Sequence, residues 1–301
     1  VVKADGLCGG KGVLVAGDHF EDFDTAESFA KASIEKFGRV VFEEKLIGEE
    51  FSLMSIVDGE TVLDTPAIQD HKRAFEGDTG PNTGGMGCIS DANLSLPFVT
   101  QEDLDQAHEI TLQTMKAMNE ELGERYVGVM YGGFIITRSG VKLIEYNARF
   151  GDPEALNLFP ILQSDFVDVI EKAAQGRLDE IGALQFDHKA TVVKYLCPTG
   201  YPTEPVKNKP VMITDTIENI EAGRGKVYFA SVGEEKEQIL LKGSRAIGVC
   251  GVGESLEEAH AHAEFMVSYF EGPLFYRKDI GTRALIQQRI DHMNRIRRIN
   301  D

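Results

Sequence analysis

Tryptophan is absent from the 301 residues, and cysteine is scarce at four. Cys8, Cys88, Cys197 and Cys250 stand far apart and form no C-x-x-C pair. Zinc clusters and disulfide frameworks need closely spaced or regularly paired thiols, so neither organises this chain; four reduced thiols in a cytoplasmic protein are expected. Long apolar runs are also lacking. None approaches the ~20 residues that a helix needs to cross a bilayer, and the first residues do not read as a secretory leader. Positive charge is the third shortage: 31 Lys and Arg against 49 Asp and Glu leave a net charge of −18. A chain this anionic repels phosphate backbones, so neither nucleic acid nor membrane is an expected partner. Any anion site must be built from a few placed cations.

What is present is an ordinary globular composition, 42 % hydrophobic and 27 % charged, on a chain long enough for two domains rather than one. The opening "VVKADG" reads as the end of a strand, so the chain is expected to be a fragment lacking an N-terminal portion. Strand text follows at 11–16, 39–46, 50–58 and 60–65, with Asp58-Gly59 as a hairpin signal. Between the first two strands, Asp24 with Glu27 predicts a capping box and Gly38 a helix stop. Residues 69–98 carry glycines, two adjacent cations and no periodicity, and predict a long loop of the functional kind. Thr100 caps a helix whose Leu104, Ala107, Thr111, Met115 and Met118 share a face. Strands at 126–137 and 141–150 are joined by a turn at Ser139-Gly140, and helices are expected over 153–163 and 165–175. The text changes near 187–190 to short strands, a helix capped by Ser255 with Glu258, and a basic helix over about 282–298 whose Arg289, Arg295, Arg297 and Arg298 suit a helix C-terminus. His260 and His262, two apart on one helix, point to different sides and read as surface residues rather than a metal pair.

Four stretches could carry chemistry. "KADGLCGGKG" (3–12) is a near miss to a P-loop: Asp5 stands where the first glycine should, and Gly12 where a Ser or Thr should hold a metal. Its glycines still allow backbone N–H groups to approach phosphate, and Lys3 could neutralise one. A tight hairpin turn with incidental lysines is the alternative. In "LIEYNARFGDPE" (143–154), strand alternation puts Leu143, Glu145, Asn147 and Arg149 on one face and Ile144, Tyr146, Ala148 and Phe150 on the core face. A carboxylate and an amide about 6–7 Å apart along the strand suit a hard cation such as Mg²⁺. Arg149 then suits an adjoining oxyanion. An ordinary solvated strand face would look similar. The acid pairs of "VFEEKLIGEEFSL" (41–53) and the Lys72-Arg73 loop with its small residues each have a bland surface reading as well.

Their combination and order decide more than any one piece. "KADGLCGGKG", "QDHKR", "DTGPNTGGMG", "EYNARFGDPE" and "RKDIGTRA" resemble the ATP-grasp superfamily, and within it the phosphoribosylamine–glycine ligases, over essentially the whole chain. The resemblance implies an α+β class: an ATP-grasp lid subdomain (1–45), a central catalytic domain with a mixed sheet and helices (46–187), and a small α/β C-terminal domain (188–301). It implies ATP as substrate, Mg²⁺ or Mn²⁺ as metal, and glycine and 5-phosphoribosylamine as the joined partners, in a monomer or homodimer. By the same resemblance Lys3, Gly9, Gly10 and Lys11 cover the nucleotide phosphates, Glu43, Glu44 and Leu46 read adenine, and Glu50 holds the ribose. Lys72 and Arg149 act on the transferred phosphate. Asp70, Asn82, Thr83, Gly84, Gly85 and Asp152 hold the glycine and sugar-phosphate end, and Glu145 and Asn147 bind the metal. Another ATP-grasp carboxylate–amine ligase, or a nucleotide-binding fragment without turnover, are the competing readings. The family pattern also opens with a Gly-rich α/β domain that has no counterpart in this sequence. Cys8-Gly9 stands where a pair of alanines is expected.

Overall fold

A computed structural model describes residues 1–6, 8, 12–236 and 238–298. The chain separates into two compact units, Val1–Ile47 and Gly48–Asp301.

In the first unit, β1 (Val2–Ala4), β2 (Val13–Leu14) and β3 (Val40–Phe42) form an antiparallel sheet in the order β2-β1-β3. Helix α1 (Phe23–Phe37) buries Ala26 and Ala30 against Val2. Its cap is Asp22, not Asp24: Asp22 Oδ1 accepts the Thr25 N–H at 2.7 Å, and Asp24 already lies inside the first turn. Gly38 ends the helix at φ +81°, in the left-handed region that glycine enters without penalty. The two predicted strands are shorter than their apolar text, and β3 stops at Phe42 before the acidic pair begins.

The second unit contains, in chain order, β4 (Gly48–Val57), β5 (Val62–Asp64), β6 (Gln69–Asp70), β7 (Arg73–Phe75), β8 (Thr79–Asn82), β9 (Gly87–Ser90), α2 (Gln101–Leu122), β10 (Gly128–Thr137), β11 (Gly140–Asn147), α3 (Ala155–Leu158), α4 (Phe166–Gln175), β12 (Ala190–Pro198), β13 (Pro210–Ile213), α5 (Ile217–Glu221), β14 (Gly225–Phe229), β15 (Val232–Glu235), β16 (Gln238–Leu241), β17 (Ile247–Gly253), α6 (Leu256–Val267), β18 (Phe270–Glu271), β19 (Leu274–Phe275) and α7 (Arg283–Arg298). Two sheets matter for the site, one ordered β11-β10-β4-β5 and the other running β14-β17-β12-β9-β6. The ladders among the described strands are antiparallel, where a mixed sheet was expected. Short connections such as Ser139-Gly140 permit this; a parallel pair would need a long crossover.

The stretch 69–98 is not one loop. It holds β6 to β9, of which β7 and β8 form an exposed hairpin and β9 inserts between β6 and β12. That insertion also explains why packing shows no break near 187. Strand β12 pairs with β9 through Val192↔Ile89 and Val193↔Cys88, and one apolar cluster runs from Phe51 and Phe134 through Tyr195 to Ala259 and Met293.

Thr100 caps α2 in a full capping box with Asp103, and Ala107, Thr111 and Met115 face the core. Asp103 also accepts from Arg297 Nη2 at 2.6 Å. Arg289 pairs with Asp78 and lies 3.5 Å from Glu49. The arginines of α7 therefore cross-link distant segments as well as answering the helix dipole. His260 and His262 are partly buried rather than on the surface; each ring lies against a backbone carbonyl, Ile280 at 3.1 Å and Val252 at 2.7 Å. The four cysteines are free, with Cys88, Cys197 and Cys250 buried. Among the described residues, no helix is long and apolar enough to cross a membrane.

Candidate active site

In the second unit a recess opens where β4, β6, β10 and β11 present their polar ends, lined by Glu50, Asp70, Lys72, Tyr131 and Glu145. Ser52 and Ile68 exchange backbone hydrogen bonds, N–H to O at 2.8 and 3.0 Å, and Gln69 Nε2 donates to the Glu50 carbonyl at 3.3 Å. These bonds set Glu50 beside the strand that carries Asp70.

β11 departs from simple alternation. Its pairing with β10 shifts between Gly133 and Phe134, opposite Glu145 and Leu143, so one residue is left over. Such a bulge turns side chains on one side of it to the other face. Leu143 consequently packs on the core, while Ile144 lines the recess with Glu145, which reverses the expected faces at those two positions. Tyr146 stays in the core. Beyond the bulge, Arg149 Nη2 donates to Asn147 Oδ1 at 3.5 Å, Nη1 donates to the Phe150 carbonyl at 3.0 Å, and the guanidinium stands 5.8 Å from the Tyr131 ring centroid.

Lys72 Nζ lies 3.6 Å from Glu50 Oε2. Burial by itself would lower its pKa, but the carboxylates of Glu50, Asp70, Glu145 and Glu154 outweigh this and raise it, so the ammonium is charged. Asp70 shows the opposite balance. Burial and the neighbouring Glu154 push its carboxyl well above the usual range against the pull of Lys72 and Arg245. Its Oδ1 is sealed from solvent and has no hydrogen-bond partner among the described residues. Glu154, fully buried, accepts from the Tyr131 hydroxyl at 2.7 Å and from Ser52 Oγ at 3.5 Å. Burial and Glu154 raise the Tyr131 pKa far above that of a free phenol, which keeps it a donor.

The loop after β8 closes one side. Thr83 donates to the Lys72 carbonyl through both its N–H and Oγ1, each at 2.8 Å, so that hydroxyl fixes Lys72. Gly85 sits at φ +110°, and a Cβ there would come within 2.5 Å of Asp70 Oδ1 and of Pro153. Only glycine fits that approach. Asp152 Oδ1 accepts from the Tyr195 hydroxyl at 2.7 Å and its Oδ2 from Arg245 Nη2 at 3.0 Å.

Glu50, Asp70, Lys72 and Glu145 are thus brought together, Thr83, Gly84, Gly85 and Asp152 line up beside them, and Asn147 ends β11 with Arg149 just beyond it. Asn82 is exposed at the end of the β7–β8 hairpin, paired in register with Arg73. In the first unit Lys3 Nζ is 2.5 Å from Glu43 Oε2, Glu44 is exposed and Leu46 is half-buried. Gly9, Gly10 and Lys11 lie outside the described residues. Sequence reasoning missed Glu154, Tyr131, Arg245 and Tyr195. Glu154 ends the motif "RFGDPE" and was within reach; the other three carry no local signal.

Among the described residues no three of His, Cys, Asp and Glu cluster in a cage. Even with Asp70 biased towards its neutral form, Glu50, Glu145 and Glu154 around one lysine leave excess negative charge, and Glu145 and Asn147 offer two hard oxygen donors. That fits an ion of the magnesium type, which takes few protein ligands and keeps water or phosphate oxygens, and does not fit zinc or copper.

Comparison with known proteins agrees with this geometry. The family model described as phosphoribosylglycinamide synthetase, ATP-grasp (A) domain, matches residues 1–155, and its C-domain model matches 191–283. A curated relative from Methanosarcina barkeri, named phosphoribosylamine–glycine ligase, is 49 % identical over 98 % of this chain and 66 % of its own length. One of the same name from Methanocaldococcus jannaschii is 46 % identical over 99 % of this chain and 67 % of its own. The chain therefore spans about two thirds of the length of these relatives. A crystal structure of phosphoribosylamine–glycine ligase from Thermotoga maritima superposes with a TM-score of 0.77 at 30 % identity, covering 93 % of this chain and 68 % of that one. The biotin carboxylase domain of Hydrogenobacter thermophilus 2-oxoglutarate carboxylase shares the fold at a TM-score of 0.56 and 14 % identity, over 90 % of this chain and 55 % of that one. With its ATP-grasp and C-domain segments both matched, the chain belongs to the phosphoribosylglycinamide synthetase family.

Proposed function

We propose that this chain joins glycine to 5-phosphoribosylamine at the expense of ATP, giving glycinamide ribonucleotide, ADP and phosphate in purine synthesis in the cytoplasm. The observation that carries the reading is Lys72, a charged ammonium held among Glu50, Asp70, Glu145 and Glu154 at the edge of the recess, in a chain of this family. A carboxylate does not react with an amine, so it must first be activated. The glycine carboxylate oxygen attacks the γ-phosphorus of ATP, the bond to ADP breaks, and glycyl phosphate forms. The amine of phosphoribosylamine then attacks the acyl carbon, phosphate departs, and the amine gives up a proton.

Lys72 and Arg149 are proposed to offset the charge that spreads over the transferred phosphoryl oxygens, which is where such reactions obtain most of their acceleration. Glu145 and Asn147 would hold Mg²⁺ or Mn²⁺, which when bound adds further charge neutralisation to the phosphates. Glu50 is assigned to the nucleotide ribose. In the first unit Lys3, Gly9, Gly10, Lys11, Glu43, Glu44 and Leu46 are assigned to the nucleotide on the family resemblance. Asp70, Asn82, Thr83, Gly84, Gly85 and Asp152 are assigned to the glycine and sugar-phosphate end. The division 1–45, 46–187 and 188–301 is kept as the functional one, nucleotide cover, catalytic sheet and C-terminal support.

The test is phosphate release from Mg·ATP with phosphoribosylamine generated in situ. Release that requires both glycine and phosphoribosylamine supports the ligase. Release driven by a different acid, or nucleotide binding without turnover, contradicts it.

A further inference from the structure

Arg245 stands on the turn between β16 and β17, far along the chain from the strands that line the recess, and none of the assigned chemistry uses it. Its side chain is 14 % exposed. Nη1 donates to three carbonyl oxygens, those of Gly84 at 2.7 Å, Gly85 at 3.1 Å and Asp152 at 2.8 Å, and Nη2 donates to Asp152 Oδ2 at 3.0 Å. Beneath it lies Tyr195 on β12, its ring centroid 4.7 Å from the guanidinium and its hydroxyl donating to Asp152 Oδ1 at 2.7 Å. Both oxygens of Asp152 are therefore engaged by the protein. Two loops, 83–85 and 151–153, converge on one guanidinium.

The chain of contacts continues inward. Thr83 is bonded to the Lys72 carbonyl, and Gly85 is packed against Asp70 Oδ1. A planar fork with fixed donor directions can hold four acceptors in one arrangement; a lysine ammonium, a point charge on a flexible stem, cannot. We propose that Arg245, braced by Tyr195, is a positioning residue that locks the Gly84–Gly85 turn to Asp152 and so fixes the edge of the recess that receives the amino acid and the sugar-phosphate. The assignment of that edge rests on the ligase reading above, whereas the locking itself does not. It also revises the part of Asp152: its carboxylate serves the clamp rather than the substrate.

Arg245→Lys, Arg245→Ala and Tyr195→Phe in the full chain test this, with two measurements. The first is amide hydrogen exchange at 83–87 and 151–155 without substrates, alongside the melting temperature. The second is the KM for glycine, phosphoribosylamine and ATP. Arg245→Lys is expected to accelerate exchange in those two segments and not at β12 or α2, with an unchanged melting transition. It is expected to raise the KM for glycine or phosphoribosylamine roughly tenfold, the size of one lost charge-assisted hydrogen bond, while the KM for ATP stays put. Tyr195→Phe should show the same pattern more weakly. Unchanged exchange in both segments, or a general rise in exchange with a lowered melting temperature, would overturn the clamp. If the unsubstituted chain shows no glycine-dependent turnover, the ligase reading fails and the exchange measurement still decides the clamp.

Discussion

Lys72 is held between demands that pull in opposite directions. Its side chain is under half exposed, which disfavours the ammonium, yet four carboxylates act on it and the charged form prevails. Replacing it with methionine keeps the apolar stem and deletes the charge. Lys72→Met is expected to lower kcat about 10²–10³-fold, the usual loss for one electrostatic donor at a developing oxyanion, with the KM for ATP little altered. Steady-state phosphate release measures this, and a kcat within twofold of the original would remove Lys72 from the phosphoryl step. The residue types that carry this site were legible one by one in the sequence: Lys72, Glu145, Asn147 and Arg149 stand in short motifs whose order is informative. Asp70 was legible as a member of such a motif. Its sealed Oδ1 was not, because that depends on Gly85 and Pro153 arriving from elsewhere in the chain.

At the scale of the element, the turn between β4 and β5 shows how one buried carboxylate organises a junction. Asp58 Oδ1 accepts the N–H groups of Glu60 at 3.0 Å and Thr61 at 2.8 Å, and Oδ2 accepts that of Leu178 at 2.9 Å. Burial would raise its pKa, but these donors from Thr61, Leu178 and Glu60 lower it on balance. Asp58→Asn puts an amide donor where Leu178 also donates, so two donors face each other in a dry place. The expected cost is about 1–3 kcal/mol, read from the urea midpoint; a midpoint that does not move would contradict it.

Most signals confined to a few neighbouring residues read through correctly. Asp58-Gly59 turns the hairpin, and Thr100 caps α2. Where a signal depended on partners far along the chain, the sequence reading went astray. The alternation of β11 predicts the outward row Glu145, Asn147 and Arg149 but cannot show the bulge opposite Gly133 that turns Leu143 inward. The strands within 69–98 are only two to four residues long, too short for a period to appear, and β9 is defined by its neighbours β6 and β12. The helix cap fell on Asp22, although Asp24 with Glu27 fits the capping-box motif, because the backbone turns helical at Phe23 and leaves Asp22 as the last extended residue.

At the largest scale, the C-terminal segment is tied to the β7–β8 hairpin and to β4 through buried charge. Arg277, 1 % exposed, donates to Asp78 and Asp279 and to the Arg73 carbonyl, while Arg289 reaches Asp78 and Glu49. His71 is enclosed in the same region. Burial first, then the Arg277 and Arg289 charges, lower its pKa to about 4, against the pull of Asp78 and the Gly87 carbonyl. A histidine neutral in the fold and free to protonate when unfolded makes stability fall with acid. The unfolded chain takes up a proton below about pH 6.5 that the folded chain refuses until about pH 4, so this contribution is full above the first value and is lost progressively between the two. The loss amounts to at most about 3 kcal/mol. Comparing urea unfolding at neutral pH and near pH 4.5, His71→Gln should flatten part of the acid dependence; an unchanged slope would show that His71 is not its source.

The most direct test of the central claim, that this recess activates the glycine carboxyl as an acyl phosphate, follows the oxygen atoms. Glycine labelled with ¹⁸O in its carboxylate is turned over with ATP and phosphoribosylamine, and the released phosphate is analysed by mass. Attack by the carboxylate on the γ-phosphorus must deliver one glycine oxygen to each phosphate released. Phosphate carrying one ¹⁸O is the predicted result, and unlabelled phosphate formed together with the amide product would contradict the proposed chemistry.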